Sequence, residues 1–497
     1  MPPRTAKGSV RIGWERMAGP IGLAGVVILA TALPASGKPK RPPAGPPVLS
    51  ESERPLTLEE CLRIARSSNL DFKVAQADYA KARSARYGST GRFVPVALVE
   101  RTREDARETA GIPGADSTTT SRGDVLTAGL DQLLPSGARV KVVQDLNRDL
   151  TPIRVSSFSA TVTQPLLRGG GWLAAVGPVT SARLELESSE RALAAAERDM
   201  VLATTLAYLA AVRDRSLIVV AEGALQADSL LVQASGSLVA ARMATRRDVL
   251  SAELRLADDK AALVGAEKDY ALSLDRLKEE MGVAIESPIR LAEVQLADTT
   301  LELDEESLVR DALSGHPALQ SAEASVRRGE VDWKLARNAQ LPRVDLVGTY
   351  TRSIDTDQGI GQTVDSARNW LTAVQVSLPV VNREAQASAD IARLSLEQDR
   401  HRLTLLRLRT QRSVREALRT LKGISEELQA VRQTIALAQE KVEFATAMFN
   451  LGRASNLDLT DAREALVKGR SDYVRKLADY HAQLAVLKSL TGRELMP

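Results

Sequence analysis

Leu58-Glu59-Glu60-Cys61-Leu62 and Glu305-Glu306-Ser307-Leu308-Val309 lie 247 positions apart, and the chain stays in step with itself at that offset without a gap. Ala65 falls on Ala312, Ala75 on Ala322, Ala77 on Ala324 and Pro95 on Pro342. At a second offset, of 210 residues, Asp248 meets Asp458, Leu256 meets Leu466, Tyr270 meets Tyr480, Lys278 meets Lys488 and Gly282 meets Gly492. Two long units of this kind make a tandem duplication with pseudo-twofold symmetry inside one protomer, not a solenoid of short repeats.

With 26% charged and only 3% aromatic residues among 497, the composition is that of long helices, because Ala, Leu, Arg and Glu lose little rotamer freedom in a helix. The net charge of +3 is nearly balanced and forms no clustered basic face, so nucleic acid is not an expected partner. The arginine-rich run from Arg400 to Arg419 alternates with Leu and reads as a solvated helix face. Arg4, Lys7, Arg11 and Arg16 precede an apolar run from Ile21 to Leu33, then Ala35, Ser36 and Gly37, which is the order of a secretory signal over residues 1–37. That run is too short to span a bilayer. A Pro-rich tether is expected over 38–55. The lone cysteine, Cys61, fits export without a disulfide framework and aligns with Leu308, so it reads as a small buried apolar residue. His316, His401 and His481 are scattered and no HExxH, GxSxG or P-loop spacing occurs, so neither an enzyme nor a bound cofactor or metal is expected.

Each unit has the same internal order. A helical segment (Leu58 to about Tyr87; Glu305 to about Ala339) stops before Pro95 or Pro342, where a β-rich stretch begins. Val344, Leu346, Gly348 and Tyr350 alternate with polar neighbours, as do Trp370, Thr372, Val374, Val376 and Leu378. Phe158, Ala160, Val162 and Gln164 repeat the pattern in the first unit, opposite Ser157, Ser159, Thr161 and Thr163. A period of two marks strands with one apolar and one polar face, each long enough to cross a bilayer at a tilt. The first unit carries roughly 33 extra residues here, including Leu130 to Val143, whose Pro135-Ser136-Gly137 resembles a hairpin turn. About four spanning strands per chain leave two open edges in hydrocarbon, whereas a closed barrel takes about eight. Copies of the chain must therefore share one barrel.

A very long helix follows the strands. Val414, Ala417, Leu421, Ile424, Leu428, Val431, Ile435, Ala438, Val442, Ala445 and Phe449 recur at alternating steps of three and four, a coiled-coil seam, whereas an ordinary helix would drift about 20° per heptad. Ile218, Leu225, Val232 and Val239 keep the same spacing in the first unit. A helix from Ala385 to Asn450 would be roughly 100 Å long, matched by two shorter helices end to end.

The order of helix, Pro, strand pair, Gln164-Pro165-Leu166-Leu167-Arg168-Gly169-Gly170, long helix, then Gly452-x-Ala454-Ser455-x-x-Asp458-Leu459-x-x-Ala462 resembles the TolC-like outer membrane efflux protein family over Leu56 to Leu495. The resemblance implies a mainly α chain with membrane β. It further implies a tandem-duplicated protomer of a homotrimer, whose 12-stranded β-barrel in the cell outer membrane would continue as a long α-helical coiled-coil barrel through the periplasm. The expected divisions are repeats at 56–282 and 303–495 with a linker at 283–302. The implied function is that of a passive exit duct for efflux or type I secretion. Its partners would be a periplasmic adaptor, an inner-membrane pump of RND, ABC or MFS type, and outer membrane lipid.

In that family the helical turn is the periplasmic tip and acidic residues ring its entrance. The matching positions are Asp458 and Asp461, with Asp248 in the first unit, where Ser251 replaces the second carboxylate. Asp ahead of an apolar helical run is also a favoured helix start, so Asp248 and Asp458 read equally as caps. Asp461 lies one turn inside and is the better candidate for a luminal carboxylate. The family's latch tyrosine is replaced by Phe449, with Arg453 after Gly452 the nearest polar substitute. The competing reading is a periplasmic adaptor, which resembles one helical hairpin between two β-rich halves.

Overall fold

A computed structural model of the protein describes residues 55–112, 115–149, 153–240, 245–294, 296–297, 303–357, 363–451 and 453–492. The expected signal (1–37), nearly all of the tether (38–55), part of the linker (295 and 298–302) and Gly452 lie outside the described residues.

Helices α1 (Leu58–Ser68) and α2 (Leu70–Thr90) lead into strands β1 (Val96–Ile112), β2 (Ala115–Leu133), β3 (Arg139–Asp149) and β4 (Ile153–Pro165), followed by α3 (Gly171–Ala240) and α4 (Arg246–Met281). The same order returns as α5 (Glu305–Gly315), α6 (Pro317–Ala339), β5 (Arg343–Asp357), β6 (Thr363–Ser377), α7 (Arg383–Asn450) and α8 (Asn456–Thr491). The 70 residues of α3 are matched by the 11, 21 and 36 of α1, α2 and α4, with α1 and α2 packed toward its sheet end and α4 along the rest. The single first segment expected in each unit is in fact two helices. Asn69 breaks the first pair, accepting from the Phe72 amide (2.8 Å) to cap α2 while its Nδ2 donates to the Glu280 carbonyl (2.7 Å). In the second pair the break falls at His316, and Pro317 opens α6, where its missing N–H leaves no donor unsatisfied.

The coiled-coil seam is the core. Val414, Ala417, Leu421, Ile424 and Leu428 are buried against Tyr480, Leu484 and Leu487 of α8 and Leu308 and Ala312 of α5. The equivalent cluster of the first unit contains Cys61, Tyr208, Ala211 and Leu277. Cys61 and Leu308 are both fully buried, and burial pushes the Cys61 thiol up to about 12, so it stays an inert apolar group. Segment 283–294 is not loose: Leu291 pairs with Leu56, and Leu291 and Val283 join the first core. Gly282 and Gly492 close α4 and α8 in the left-handed region, at φ 67° and 75°. At Gly282 a Cβ would also stand 2.5 Å from the Ser68 carbonyl oxygen, so only glycine fits.

Among the described residues the strands form one antiparallel sheet of six, in the order β1-β2-β3-β4-β5-β6, with β4 and β5 joining the two units. The expectation of about four strands is corrected here. Pro135-Ser136-Gly137 does make a hairpin, with Gly137 at φ 89°, and it connects β2 to β3, while β1 adds a further strand. The register aligns Val142, Ala160, Tyr350 and Trp370 on one face and Lys141, Thr161, Thr349 and Leu371 on the other. The first face is apolar from Ala97 and Leu130 to Val374 and Val376, and Phe158, Tyr350 and Trp370 stack on it with centroids 6.4 and 4.7 Å apart. The second face is a polar lattice, in which Thr127 and Ser157 donate to Asp145 (2.6 and 3.4 Å) and Thr161 bonds Thr349 (3.2 Å).

Candidate functional site

The α3–α4 and α7–α8 hairpins meet away from the sheet, at the ends where residues 241–244 and 451–455 connect them. Leu231 of α3, Ala252 of α4, Ala445 of α7 and Leu459 and Ala462 of α8 form one small core there, with Val442 and Phe449 packed against it. Phe449 thus contributes apolar packing at the position of the expected latch. Arg453 is exposed, and its backbone N–H donates to the Met448 carbonyl (2.8 Å) to close α7. Among the described residues no side-chain bond is formed by Arg453.

Ser455 is the N-cap of α8 and Asp458 its third residue. The Ser455 amide and hydroxyl both donate to Asp458 Oδ2 (2.9 and 2.8 Å), while Ser455 Oγ accepts from the Asp458 amide (3.3 Å). Thr245 and Asp248 make the same box at the start of α4, at 2.8 and 2.7 Å. Two orphan donors are satisfied reciprocally at each helix start. These hydrogen bonds from Ser455 and from Thr245 hold both carboxyls below the usual carboxylate range. Asp461 follows three residues after Asp458, and both are exposed while Leu459 and Ala462 between and beyond them are buried. The structure therefore places Asp458 and Asp461 as neighbours on one uncovered helix face. Asp248 and Ser251 occupy the corresponding face of α4.

Asn456, which the sequence did not single out, ties the two units together. It is 3% exposed, and its Nδ2 donates to Ser235 Oγ of α3 and to the Asp248 carbonyl of α4, both at 2.8 Å. The start of α8 is thereby fixed on the start of α4. About two turns further along α8, Arg463 donates to the Ala227 carbonyl (2.8 Å) and pairs with Asp228 (3.2 Å), while Arg255 lies 3.8 Å from Asp228 and 3.3 Å from Glu464. Asp259 is buried beside this cluster, with Oδ2 unpartnered.

Burial, reinforced by the adjacent Asp228 carboxylate, raises Asp259 from 3.8 to about 6. Asp228 and Asp214 face it from α3, Arg255 and Asp258 from α4, and Arg463 and Glu464 from α8. The folded pKa is the higher one, so folding takes up a proton between the two values. The resulting stabilisation is complete below the unfolded pKa and is lost as pH rises through about 6. Asp259→Asn should therefore raise the melting temperature at neutral pH and flatten the wild-type decline between about pH 4 and 6. Parallel declines in thermal melts of the two proteins would assign the pH dependence to other groups.

Residues 308–493 match the model of the family described as outer membrane efflux protein. Protein CyaE of Bordetella pertussis is 24% identical over 348 residues, 68% of this chain and 71% of CyaE. The toluene efflux pump outer membrane protein TtgC of Pseudomonas putida is 24% identical over 201 residues, so the match spans only 41% of its length. The structure of the outer-membrane channel OprN aligns with a TM-score of 0.68 at 16% identity, covering 92% of this chain and 98% of that one. At that identity the likeness establishes the fold: two long helical hairpins joined through one sheet. An adaptor's single hairpin between two β-rich halves does not describe it.

Proposed function

We propose that this chain, a TolC-like member of the outer membrane efflux protein family, is the outer membrane exit duct of a tripartite efflux or type I secretion system. One observation carries the proposal. The sheet has an apolar face with an aromatic cluster, a polar face of hydroxyls and carboxylates, and two free edges, and it continues into helices of 70 and 68 residues. Such a sheet is stable in a bilayer only when closed, with the apolar face toward lipid and the polar face toward water. In the most apolar stretch of α3 only 11% of the residues are buried in the single chain, which supports neighbouring copies along the helices as well. Each copy combines two repeats, 56–282 and 303–495, in a homotrimer whose helical part lies in the periplasm, docked to an adaptor and an RND, ABC or MFS pump. The similar structure OprN is an outer-membrane channel, and the role proposed here is conduction without catalysis.

The six strands of this sheet exceed the four per copy that a twelve-stranded trimer would use. Both edges of β3 are occupied, by β2 along Gly123–Leu133 and by β4, so closure between copies has to run through β1 and β6. Three copies of a six-stranded sheet give a wall of eighteen, a size that leaves an aqueous channel. Native mass spectrometry in detergent should give trimers, and cysteines stepped along 96–103 of β1 should cross-link to one at Val374 of β6 in the next copy. Monomers alone would end the proposal. Trimers that cross-link β6 to β3 would restore a twelve-stranded wall.

A further inference from the structure

Arg352 of β5 and Arg368 of β6 stand directly opposite one another on the apolar face of the sheet. Like charges in that position are destabilising, since Cβ atoms of such pairs lie only about 5 Å apart. Both are exposed, and neither has a hydrogen bond or ion pair among the described residues. Arg101, on the same face of β1, behaves differently: it is held by Asp124 through two hydrogen bonds of 2.9 and 2.8 Å. Between β4 and β6 no acidic side chain shares this face among the described residues. Arg368 lies two residues beyond Trp370 and Arg352 two beyond Tyr350, on the side away from the helices. At about 3.3 Å per residue the two arginine positions lie about 7 Å along their strands from the aromatic positions.

Resting on the channel reading above, we infer that Arg352 and Arg368 form a seat for the phosphate of a lipid headgroup in the membrane leaflet farther from the helices. Trp370, 79% exposed, and Tyr350 supply the amphipathic surface that settles at a membrane–water boundary. The next polar row outward then lies at phosphate depth. Two adjacent planar guanidiniums offer parallel donors to one tetrahedral anion, and that anion removes the repulsion between them. An acyl chain has the apolar column Val374 and Val376 below the rings to lie against.

The full-length oligomer, reconstituted in nanodiscs of phosphatidylcholine with and without phosphatidylglycerol and released for native mass spectrometry, should retain phosphatidylglycerol preferentially. Arg352→Gln with Arg368→Gln should weaken that retention roughly tenfold, while the Lys pair, still a point-charge phosphate binder, should keep part of it and controls for folding. Added inorganic phosphate should not displace the lipid. Unchanged lipid preference in the Gln pair overturns the site. Full displacement by inorganic phosphate makes it a free-anion site, and loss of the oligomer in the Gln pair together with loss of lipid preference in the Lys pair makes a neighbouring copy the arginines' partner; either result also overturns it. Failure to insert into nanodiscs at all would instead remove the channel reading.

Discussion

Leu428→Asp is expected to prevent assembly. Leu428 is 2% exposed in the seam between α7 and α8, in one cluster with Leu421, Leu484 and Leu487. Losing a buried leucine alone costs about 2–5 kcal/mol. The unpaired carboxylate adds the penalty of desolvating a charge, and it repeats in every copy. Thermal unfolding and native mass spectrometry would register a loss of both stability and oligomer. The adjacent Gln429 is exposed, so Gln429→Asp is the matched control and should behave as wild type. A Leu428→Asp protein that assembles and melts normally would mean that the seam does not hold the hairpin together.

The seam was legible because a helix buries a stripe at fixed spacing, and positions from Val414 to Ala445 are read from the chain without knowing their partners. The helix starts were legible too, although the signal Ser455-x-x-Asp458 marks a capping box in which Ser455 is the cap and Asp458 its reciprocal partner. The alternating strands β4, β5 and β6 announced themselves by a period of two. β1 did not. From Glu100 to Asp105 it is almost wholly charged, so neither alternate set of residues is apolar, and only pairing with β2 makes it a strand. Asn456 was hidden for a different reason. Its partners Ser235 and Asp248 are more than two hundred residues away, and the duplication places Arg246, not Asn, at the matching position of the first unit. A single long-range hydrogen bond leaves no local pattern to read.

Substituting Asn for both Asp458 and Asp461 is expected to relax cation block of the duct. The two carboxylates share the uncovered face of α8, and the Ser455 bonds keep Asp458 ionised at neutral pH. Three copies around one axis would bring six carboxylates together, and oxygen ligands in such a ring attract multivalent cations and favour cation passage. In planar bilayers the double Asn protein should need roughly tenfold more divalent or trivalent cation for half-block and should lose most of its cation selectivity, because only the Asp248 carboxylate of each copy is left at the entrance. Ser455 remains as the N-cap and Asn456 still ties α8 to Ser235 and Asp248, so assembly should persist. Asp248→Asn should do less, since Ser251 leaves that face of α4 with one carboxylate. Wild-type block and selectivity in the double variant would reduce Asp458 to its part in the capping box and move the constriction elsewhere in the duct.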